Sequence, residues 1–152
     1  MQYSERVLFV DDDPLSRRAF ARAMRQCGFI IDVAENGEEA LDLARHYPYA
    51  VLAADWHMPD LDGLRLVERV RSGDSDPVCV LVTGAGDDEV GTLDLDGVGV
   101  SAVIRKPWES QAVAEVLQRS LNTYHTRRRL ADPSSAERRL QGFPVLLVEP
   151  QA

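Results

Sequence analysis

Short apolar runs alternate along the chain with longer segments in which apolar residues recur every three or four positions. The short runs are bounded by turn residues, as buried strands are, and the longer segments have the periodicity of amphipathic helices. The predicted strands are residues 7–10, 29–34, 51–54, 78–82 and 101–105. The predicted helices are residues 14–27, 38–46, 64–72, a short segment within 84–99, and 108–129.

The first strand is apolar throughout, which is typical of parallel strands that are covered on both faces. Five alternating strand–helix units therefore predict an α/β fold, with a doubly wound five-stranded parallel sheet, helices on both faces and a C-terminal extension. The apolar faces of four helices are expected to carry Phe20, Ala23, Met24 and Cys27; Ala40, Leu41 and Ala44; Leu64, Leu66, Val67 and Val70; and Val113, Val116, Leu117, Leu121 and Tyr124.

Helix boundaries are also marked in the sequence. Asp13 and Pro14 have the residue types that begin a helix, and Gly28 is expected to end the first one. The segment 84–99 contains five glycines, each of which costs a helix interior about 1 kcal/mol relative to alanine. We therefore expect the fourth helix to be short, shifted or mobile.

Composition narrows the class of protein. The chain has 152 residues and a hydrophobic fraction of 45%, enough for one domain with its own core. Its net charge of −8 argues against direct binding to nucleic acid or to a membrane surface. The sequence contains neither an apolar run long enough to cross a membrane nor a basic-then-apolar leader, so we expect a cytoplasmic protein.

The cysteine and histidine residues indicate neither a disulfide nor a zinc site. Cys27 and Cys79 fall in a predicted helix and a predicted strand, so we expect two reduced, buried thiols. His46, His57 and His125 share no ligand spacing, which argues against zinc.

Polar residues directly follow four of the predicted strands. Asp11 and Asp12 follow the first, Asp55 the third, Thr83 the fourth and Lys106 the fifth. Because the carboxyl ends of parallel strands meet at one edge of a sheet, we expect these side chains to converge. Carboxylates so close repel one another unless a cation is present, and an oxygen-rich site that keeps several waters suits Mg²⁺. Metal, lysine and hydroxyl could hold a phosphoryl group while a carboxylate attacks phosphorus.

With their neighbours, these residues resemble the receiver domain of two-component response regulators. The resemblance covers roughly residues 6 to 128 and implies a flavodoxin-like fold and a signalling switch rather than an enzyme. All five motif elements occur in order at suitable spacing: Asp11-Asp12, Asp55 followed by Met58-Pro59 and Asp62-Gly63, Thr83, and Lys106-Pro107.

The resemblance also implies roles for individual residues. Asp55 would be the phosphoacceptor and would take its phosphoryl group from the phosphohistidine of a sensor histidine kinase or a histidine phosphotransferase. The Mg²⁺ ligands would be Asp11, Asp12 and Asp55 together with the main-chain carbonyl of His57. The side chains of His57 and Trp56 are expected to be exposed beside the site.

The phosphoryl oxygens would be held by Thr83 and Lys106, and the peptide bond from Lys106 to Pro107 is usually cis in such domains. Many members also carry an aromatic residue three positions before the lysine, where this chain has Val103. Since the usual coupling between threonine and aromatic ring needs that ring, we expect an output that differs from the family's or is weak.

Two other functions would use some of the same residues. Asp11-x-Asp13 imitates the paired aspartates of a haloacid-dehalogenase-like phosphatase, although that function leaves Asp55 and the Met58-Pro59 pair unexplained. A degenerate receiver that acts only as an interaction module is the second alternative, which the intact acidic and basic residues disfavour.

The predicted domain organisation has three parts. Residues 6–128 form the receiver domain, 129–142 a helical extension and linker, and 143–152 a tail strand. Residues 145–149 mirror residues 7–11, so the tail could begin a truncated second receiver domain. The alternative is a spare strand on a sheet edge, or a disordered tail. The apolar stripe of the last helix also suggests a homodimer.

Overall fold

A computed structural model of the chain describes residues 5–72, 76–84, 95–130 and 146–148. Strands and helices alternate through these residues as the apolar pattern predicts. The strands are β1 (Arg6–Val10), β2 (Ile30–Ala34), β3 (Tyr49–Asp55), β4 (Val78–Thr83), β5 (Val100–Arg105) and β6 (Leu146–Val148). The helices are α1 (Pro14–Gln26), α2 (Gly37–His46), α3 (Gly63–Arg71), α4 (Leu95–Val98) and α5 (Ser110–Leu130).

All strand pairs in the sheet are parallel, and the strand order is β2-β1-β3-β4-β5-β6. The first five strands confirm the predicted doubly wound parallel sheet. β6 adds a short sixth strand beside β5, with Leu147 opposite Val103. Whether the segment around β6 begins a second domain stays a prediction.

Two apolar clusters cover the two faces of the sheet. Alternate residues of each central strand point to opposite faces, so Leu8, Leu52 and Leu81 join one cluster. α2 and α3 pack on that face, whereas α1 and α5 pack on the other, where Phe9 and Phe20 stack with ring centroids 3.9 Å apart. Burial on both faces explains why these strands are apolar throughout.

Side chains from the preceding turns cap the helices that begin near the carboxyl edge of the sheet. Asp13 accepts a hydrogen bond from Leu15 N–H, Asn36 from Glu39 N–H, and Asp62 from Arg65 N–H. Each cap satisfies one of the N–H groups that a helix start leaves without an intrahelical partner. These caps fix where the chain leaves each strand, and hence where the strand-end side chains lie.

The end of α1 corrects one expectation. Gly28 ends the helix as predicted, with φ at 97°, but α1 stops at Gln26 and Cys27 is its C-cap. Cys27 is exposed, so the prediction that it is buried is wrong, whereas Cys79 is buried. The apolar periodicity of the sequence extends one position past the turn at which the backbone leaves the helix.

The fourth helix is short in its described part, as expected. α4 has four residues, and positions 85–94 of the glycine-rich segment lie outside the described residues. The predicted linker and short helix at 131–142 lie outside them as well. None of the helices in the described ranges is both long and apolar enough to cross a membrane.

Gly63, the first residue of α3, lies in close contact with the end of β3. A Cβ atom there would lie 2.6 Å from the main-chain oxygen of Asp55 and 2.9 Å from Cδ1 of Leu81. The Gly63 N–H donates to Trp56 O at 2.9 Å and closes the loop after Asp55. Glycine is therefore required for the loop to return this close to the strand.

Replacement of Gly63 by alanine should destabilise the fold by about 1–3 kcal/mol, because the added methyl group overpacks the contact with Asp55 O. Urea unfolding measures the change. Gly97→Ala in α4 is the control, since Gly97 is exposed and its φ is not positive. It should change the free energy of unfolding by less than about 1 kcal/mol. Equal losses in both variants would contradict the packing argument.

Candidate functional site at the carboxyl edge of the sheet

Three carboxylates converge at the carboxyl edge of the sheet. Asp11 and Asp12 follow β1, Asp55 ends β3, and each offers an oxygen within 4.8 Å of those of the other two. Asp11 is fully buried and Asp55 is 9% exposed, whereas Asp12 is open to solvent. The convergence predicted from the strand ends is therefore present in the fold.

Lys106 brings a cation to the two buried carboxylates. Its Nζ lies 3.0 Å from Oδ2 of Asp11 and 3.5 Å from Oδ2 of Asp55. The Lys106 N–H also donates to Thr83 O at 2.8 Å, which joins the ends of β4 and β5. The peptide bond from Lys106 to Pro107 is cis.

Thr83 and Val103 are both fully buried. Thr83 is the last residue of β4, one position beyond Val82, which pairs with Asp55. Val103 lies in the middle of β5, opposite Leu81, and belongs to the cluster under α2 and α3. The position at which the resemblance expects a mobile aromatic ring therefore holds a small side chain that is packed in the core.

The loop from Trp56 to Asp62 surrounds Asp55. The His57 N–H donates to Oδ1 of Asp55 at 3.3 Å, and the His57 side chain is exposed as expected. Trp56 is only 5% exposed, so the prediction that it is exposed is wrong. Leu52, Ala54 and Trp56 all belong to one apolar cluster, because the alternation of β3 continues for one residue past Asp55.

Burial raises the pKa of the Asp55 carboxyl above its ordinary value, and the Asp11 carboxylate adds to the rise. The Lys106 ammonium and the His57 N–H oppose it without cancelling it. Burial would lower the pKa of Lys106, but its hydrogen bond to Asp11 and the charge of Asp55 outweigh burial, so that pKa is raised. Lys106 is therefore a fixed cation at neutral pH, beside carboxylates that repel each other.

The donor set fits a hard divalent cation. Asp11, Asp12 and Asp55 contribute carboxylate oxygens, and the exposure of Asp12 leaves room for water ligands. Mg²⁺ prefers oxygen ligands and keeps several waters, whereas zinc prefers nitrogen and sulfur. A cation here would also offset the burial and the repulsion from Asp11 that together raise the pKa of Asp55.

Comparison with known proteins agrees with this geometry. A family model described as the response regulator receiver domain matches residues 7–118. The chain belongs to the response regulator receiver domain family. The chemotaxis protein CheY homolog of Campylobacter jejuni subsp. jejuni is 34% identical over 124 residues, which are 78% of this chain and 93% of that protein.

A longer relative and a solved structure agree with this membership. Response regulator MprA of Mycobacterium ulcerans is 32% identical over 149 residues, which are 97% of this chain and 61% of MprA. The crystal structure of Vibrio cholerae chemotaxis protein CheY4 superimposes with a TM-score of 0.72 at 24% identity, covering 78% of this chain and all of that one. The latter similarity shows the flavodoxin-like fold.

As a receiver domain, the chain is a phosphorylation-dependent signalling switch. The family membership favours neither the phosphatase nor the degenerate receiver that acts only as an interaction module. The phosphatase hypothesis needs Asp13 as the second of its paired aspartates. Asp13 instead caps α1, where it accepts hydrogen bonds from Leu15 N–H and the Ser16 hydroxyl. Asp55, which the phosphatase hypothesis leaves unexplained, lies between the other carboxylates and Lys106.

Sequence reasoning missed two residues that shape the receiver site. Asp60 accepts hydrogen bonds from Gly37 N–H and Glu38 N–H at the start of α2. Arg17 donates to the main-chain oxygen of Asp11 at 2.8 Å. Arg17 could have been found from its place one turn into α1, but nothing local indicates the partners of Asp60, more than twenty positions away.

Replacement of Asp55 by asparagine should stabilise the metal-free receiver domain at neutral pH. Because the folded-state pKa of Asp55 is raised, its contribution to stability is complete below about pH 4 and is lost as pH rises through the folded-state pKa. The variant should therefore have the higher thermal midpoint at pH 7 and nearly the same midpoint below pH 4. Thermal unfolding in EDTA across this range measures it.

Lys106→Met is the counterpart in that experiment. It removes the cation and leaves Asp11 and Asp55 facing each other, so its thermal midpoint at pH 7 should fall. A lower midpoint for Asp55→Asn than for the parent at pH 7 would contradict the inference that burial and the Asp11 carboxylate disfavour the charged form of Asp55.

Proposed function

We propose that Asp55 is the phosphoacceptor of this receiver domain and that its phosphorylation depends on Mg²⁺. The observation that carries the proposal is the position of the Asp55 carboxylate among Asp11, Asp12 and Lys106. Asp55 and Asp11 are held alike: each accepts through Oδ1 from the N–H two residues further on and contacts Lys106 through Oδ2. Asp11 is fully buried, whereas Asp55 is 9% exposed, so of these two Asp55 is the carboxylate that an incoming phosphoryl group could reach.

In the proposed reaction, an Asp55 carboxylate oxygen attacks the phosphorus of a phosphohistidine. The O–P bond of an acyl phosphate forms while the P–N bond to the histidine ring breaks, and the ring nitrogen keeps the bonding electron pair. Phosphoryl transfer of this kind needs positioning and charge neutralisation more than covalent assistance. The site supplies positioning through the His57 N–H and positive charge through Lys106.

We propose that Mg²⁺ is held by Asp11, Asp12 and Asp55 together with the main-chain carbonyl of His57. When bound, the ion would neutralise the three carboxylates and the charge of the phosphoryl oxygens. Lys106 would then move its contact from the carboxylates to a phosphoryl oxygen, and the Thr83 hydroxyl would donate to another. Both side chains lie at the ends of neighbouring strands that are joined by the Lys106 N–H to Thr83 O bond.

The partner that supplies the phosphoryl group is proposed to be a sensor histidine kinase or a histidine phosphotransferase. The product would control a protein partner or an output domain. With Val103 packed in the core, the signal would leave the site without a swinging aromatic ring. Movement of Thr83 and of the ends of β4 and β5 would carry it instead.

Three further features stay predictions within this proposal. The receiver domain would occupy residues 6–128, followed by an extension at 129–142 and a tail at 143–152 that could begin a second receiver domain.

A homodimer through α5 is a separate prediction. Most of its apolar stripe, including Val116 and Leu117, is buried on the sheet, which leaves Tyr124 as the partly exposed end. A cytoplasmic location is expected for a partner of histidine kinases.

The proposal is tested by incubation with acetyl phosphate and Mg²⁺ followed by intact-mass spectrometry. The parent protein should gain one phosphoryl group and lose it on hydroxylamine treatment, because an acyl phosphate is labile to that nucleophile. Asp55→Asn should gain none, and EDTA should abolish the adduct in the parent.

Asp11→Asn is the matched control, since it removes a neighbouring carboxylate without removing the proposed nucleophile. It should slow the gain of the adduct but leave Asp55 as its site. If Asp55→Asn were still phosphorylated while Asp11→Asn were not, Asp11 would be the nucleophile and the receiver assignment of Asp55 would be wrong. Failure of the parent protein to bind Mg²⁺ at millimolar concentration would favour the degenerate receiver that acts only as an interaction module.

A further inference from the structure

Asp60 connects the loop that follows Asp55 to the start of α2. Its Oδ1 accepts a hydrogen bond from Gly37 N–H at 3.3 Å, and its Oδ2 accepts one from Glu38 N–H at 3.2 Å. The residues joined are more than twenty positions apart in the chain. The contact therefore joins two separate strand–helix units at the carboxyl edge of the sheet.

The helix does not depend on Asp60 for its ordinary cap. Asn36 already occupies the N-cap position of α2 and accepts from Glu39 N–H at 2.8 Å. Asp60 takes two other N–H groups of the first turn, which would otherwise have no intrahelical partner. A carboxylate is favoured at this end of a helix because the helix dipole is positive there. The two hydrogen bonds from Gly37 N–H and Glu38 N–H to Asp60, called the clamp below, are therefore added to a helix that is already capped.

Close packing beside the hydrogen bonds makes the clamp tight. A Cβ atom on Gly37 would lie 2.7 Å from Cβ of Leu61, so only glycine lets the loop and the helix start approach this closely. Leu61 is buried, whereas Asp60 beside it is exposed. The slight burial of the Asp60 carboxyl would raise its pKa, but the hydrogen bonds that it accepts from Gly37 N–H and Glu38 N–H lower the pKa below its ordinary value. Asp60 is thus a charged acceptor at neutral pH.

The clamped loop carries the main-chain groups that face the phosphoacceptor. It leaves β3 at Asp55, presents His57, and closes where Gly63 N–H meets Trp56 O. Its two ends are fixed by β3 and by the Asp62 cap of α3. Between those ends, the loop is held by the buried side chains of Met58 and Leu61 and by the two hydrogen bonds from Asp60 to α2. Loss of those hydrogen bonds would leave this segment held to α2 by packing alone, so that the main chain at His57 could shift while both ends stayed in place.

We propose that Asp60 is a positioning residue for the Mg²⁺ site, since its two hydrogen bonds to α2 hold the loop so that the His57 carbonyl faces the metal. This inference rests on the proposed function of Asp55 and its neighbours. Asp60 would act through His57 and would not itself touch the metal or the phosphoryl group. Groups that orient metal ligands typically change metal affinity or activity by about 10–100-fold when they are removed.

The test compares Mg²⁺ affinity, measured by isothermal titration calorimetry, in the full chain and in three variants. Asp60→Ala removes both hydrogen bonds and should weaken Mg²⁺ binding by about tenfold. Asp60→Asn keeps one oxygen that accepts an N–H but places its amide NH₂ opposite the other N–H, so its affinity should lie between those of Asp60→Ala and the parent. Asn36→Ala removes the ordinary cap of the same helix without touching the loop and should bind Mg²⁺ like the parent.

Each alternative has its own result. If Asp60→Ala and Asn36→Ala weakened binding equally, Asp60 would merely stabilise α2 and the inference would be wrong. If the loss of affinity in Asp60→Ala disappeared at high ionic strength, the negative charge near the metal would be responsible, which also overturns it. Thermal unfolding of each variant checks that the fold is retained, as expected for a substitution at an exposed position.

Failure of the inference can be told from failure of the proposed function. If the parent binds Mg²⁺ and is phosphorylated on Asp55 while Asp60→Ala matches it in both, only the role of Asp60 is wrong. If the parent binds no Mg²⁺, the proposed site itself is wrong. Initial rates with acetyl phosphate at saturating Mg²⁺ add a second readout: Asp60→Ala should recover most of the parent rate there, because its defect lies in metal binding.

Discussion

Repulsion between two buried carboxylates is the constraint on which the rest of this receiver domain depends. Asp11 and Asp55 end neighbouring strands of a parallel sheet, so the fold places both at one edge, and burial leaves little solvent to screen them. Lys106 opposes the repulsion through contacts at 3.0 and 3.5 Å, but burial of the Asp55 carboxyl, with the Asp11 carboxylate beside it, still keeps the pKa of Asp55 raised. The metal-free site is therefore prepared for additional positive charge, and the same charge would favour an incoming phosphoryl group.

The remainder of the fold holds this arrangement in place. Helices begin at the same edge, and their caps come from the turns that carry the site, with Asp13 beside Asp11 and Asp62 beyond Asp55. Gly63 lets α3 start against the main chain of Asp55, and Asp60 ties the loop between them to α2. The acidic residues at the helix starts complement the positive ends of the helix dipoles, while basic residues occupy the last turns of α2, α3 and α5 at the opposite edge.

Strand positions and the convergence of Asp11, Asp12, Asp55 and Lys106 could be read from the apolar pattern, because parallel strands must end at one edge. The burial of Trp56 was missed although the alternation of β3 predicts it once the strand is continued past Asp55. Exposure of Cys27 was missed because periodicity does not show where the backbone leaves a helix. The hydrogen bonds of Asp60 could not be predicted, since they join distant segments and depend on how closely Gly37 and Leu61 pack.

The central claim, that Asp55 is the acceptor within a site built by Asp11, Asp12 and Lys106, is tested most directly by a crystal structure grown with beryllium fluoride and Mg²⁺. The account predicts beryllium bonded to a carboxylate oxygen of Asp55, Mg²⁺ beside Asp11 and Asp12, and fluorines in contact with Thr83 and Lys106. Beryllium bonded to Asp11, or Mg²⁺ bound away from these carboxylates, would contradict it.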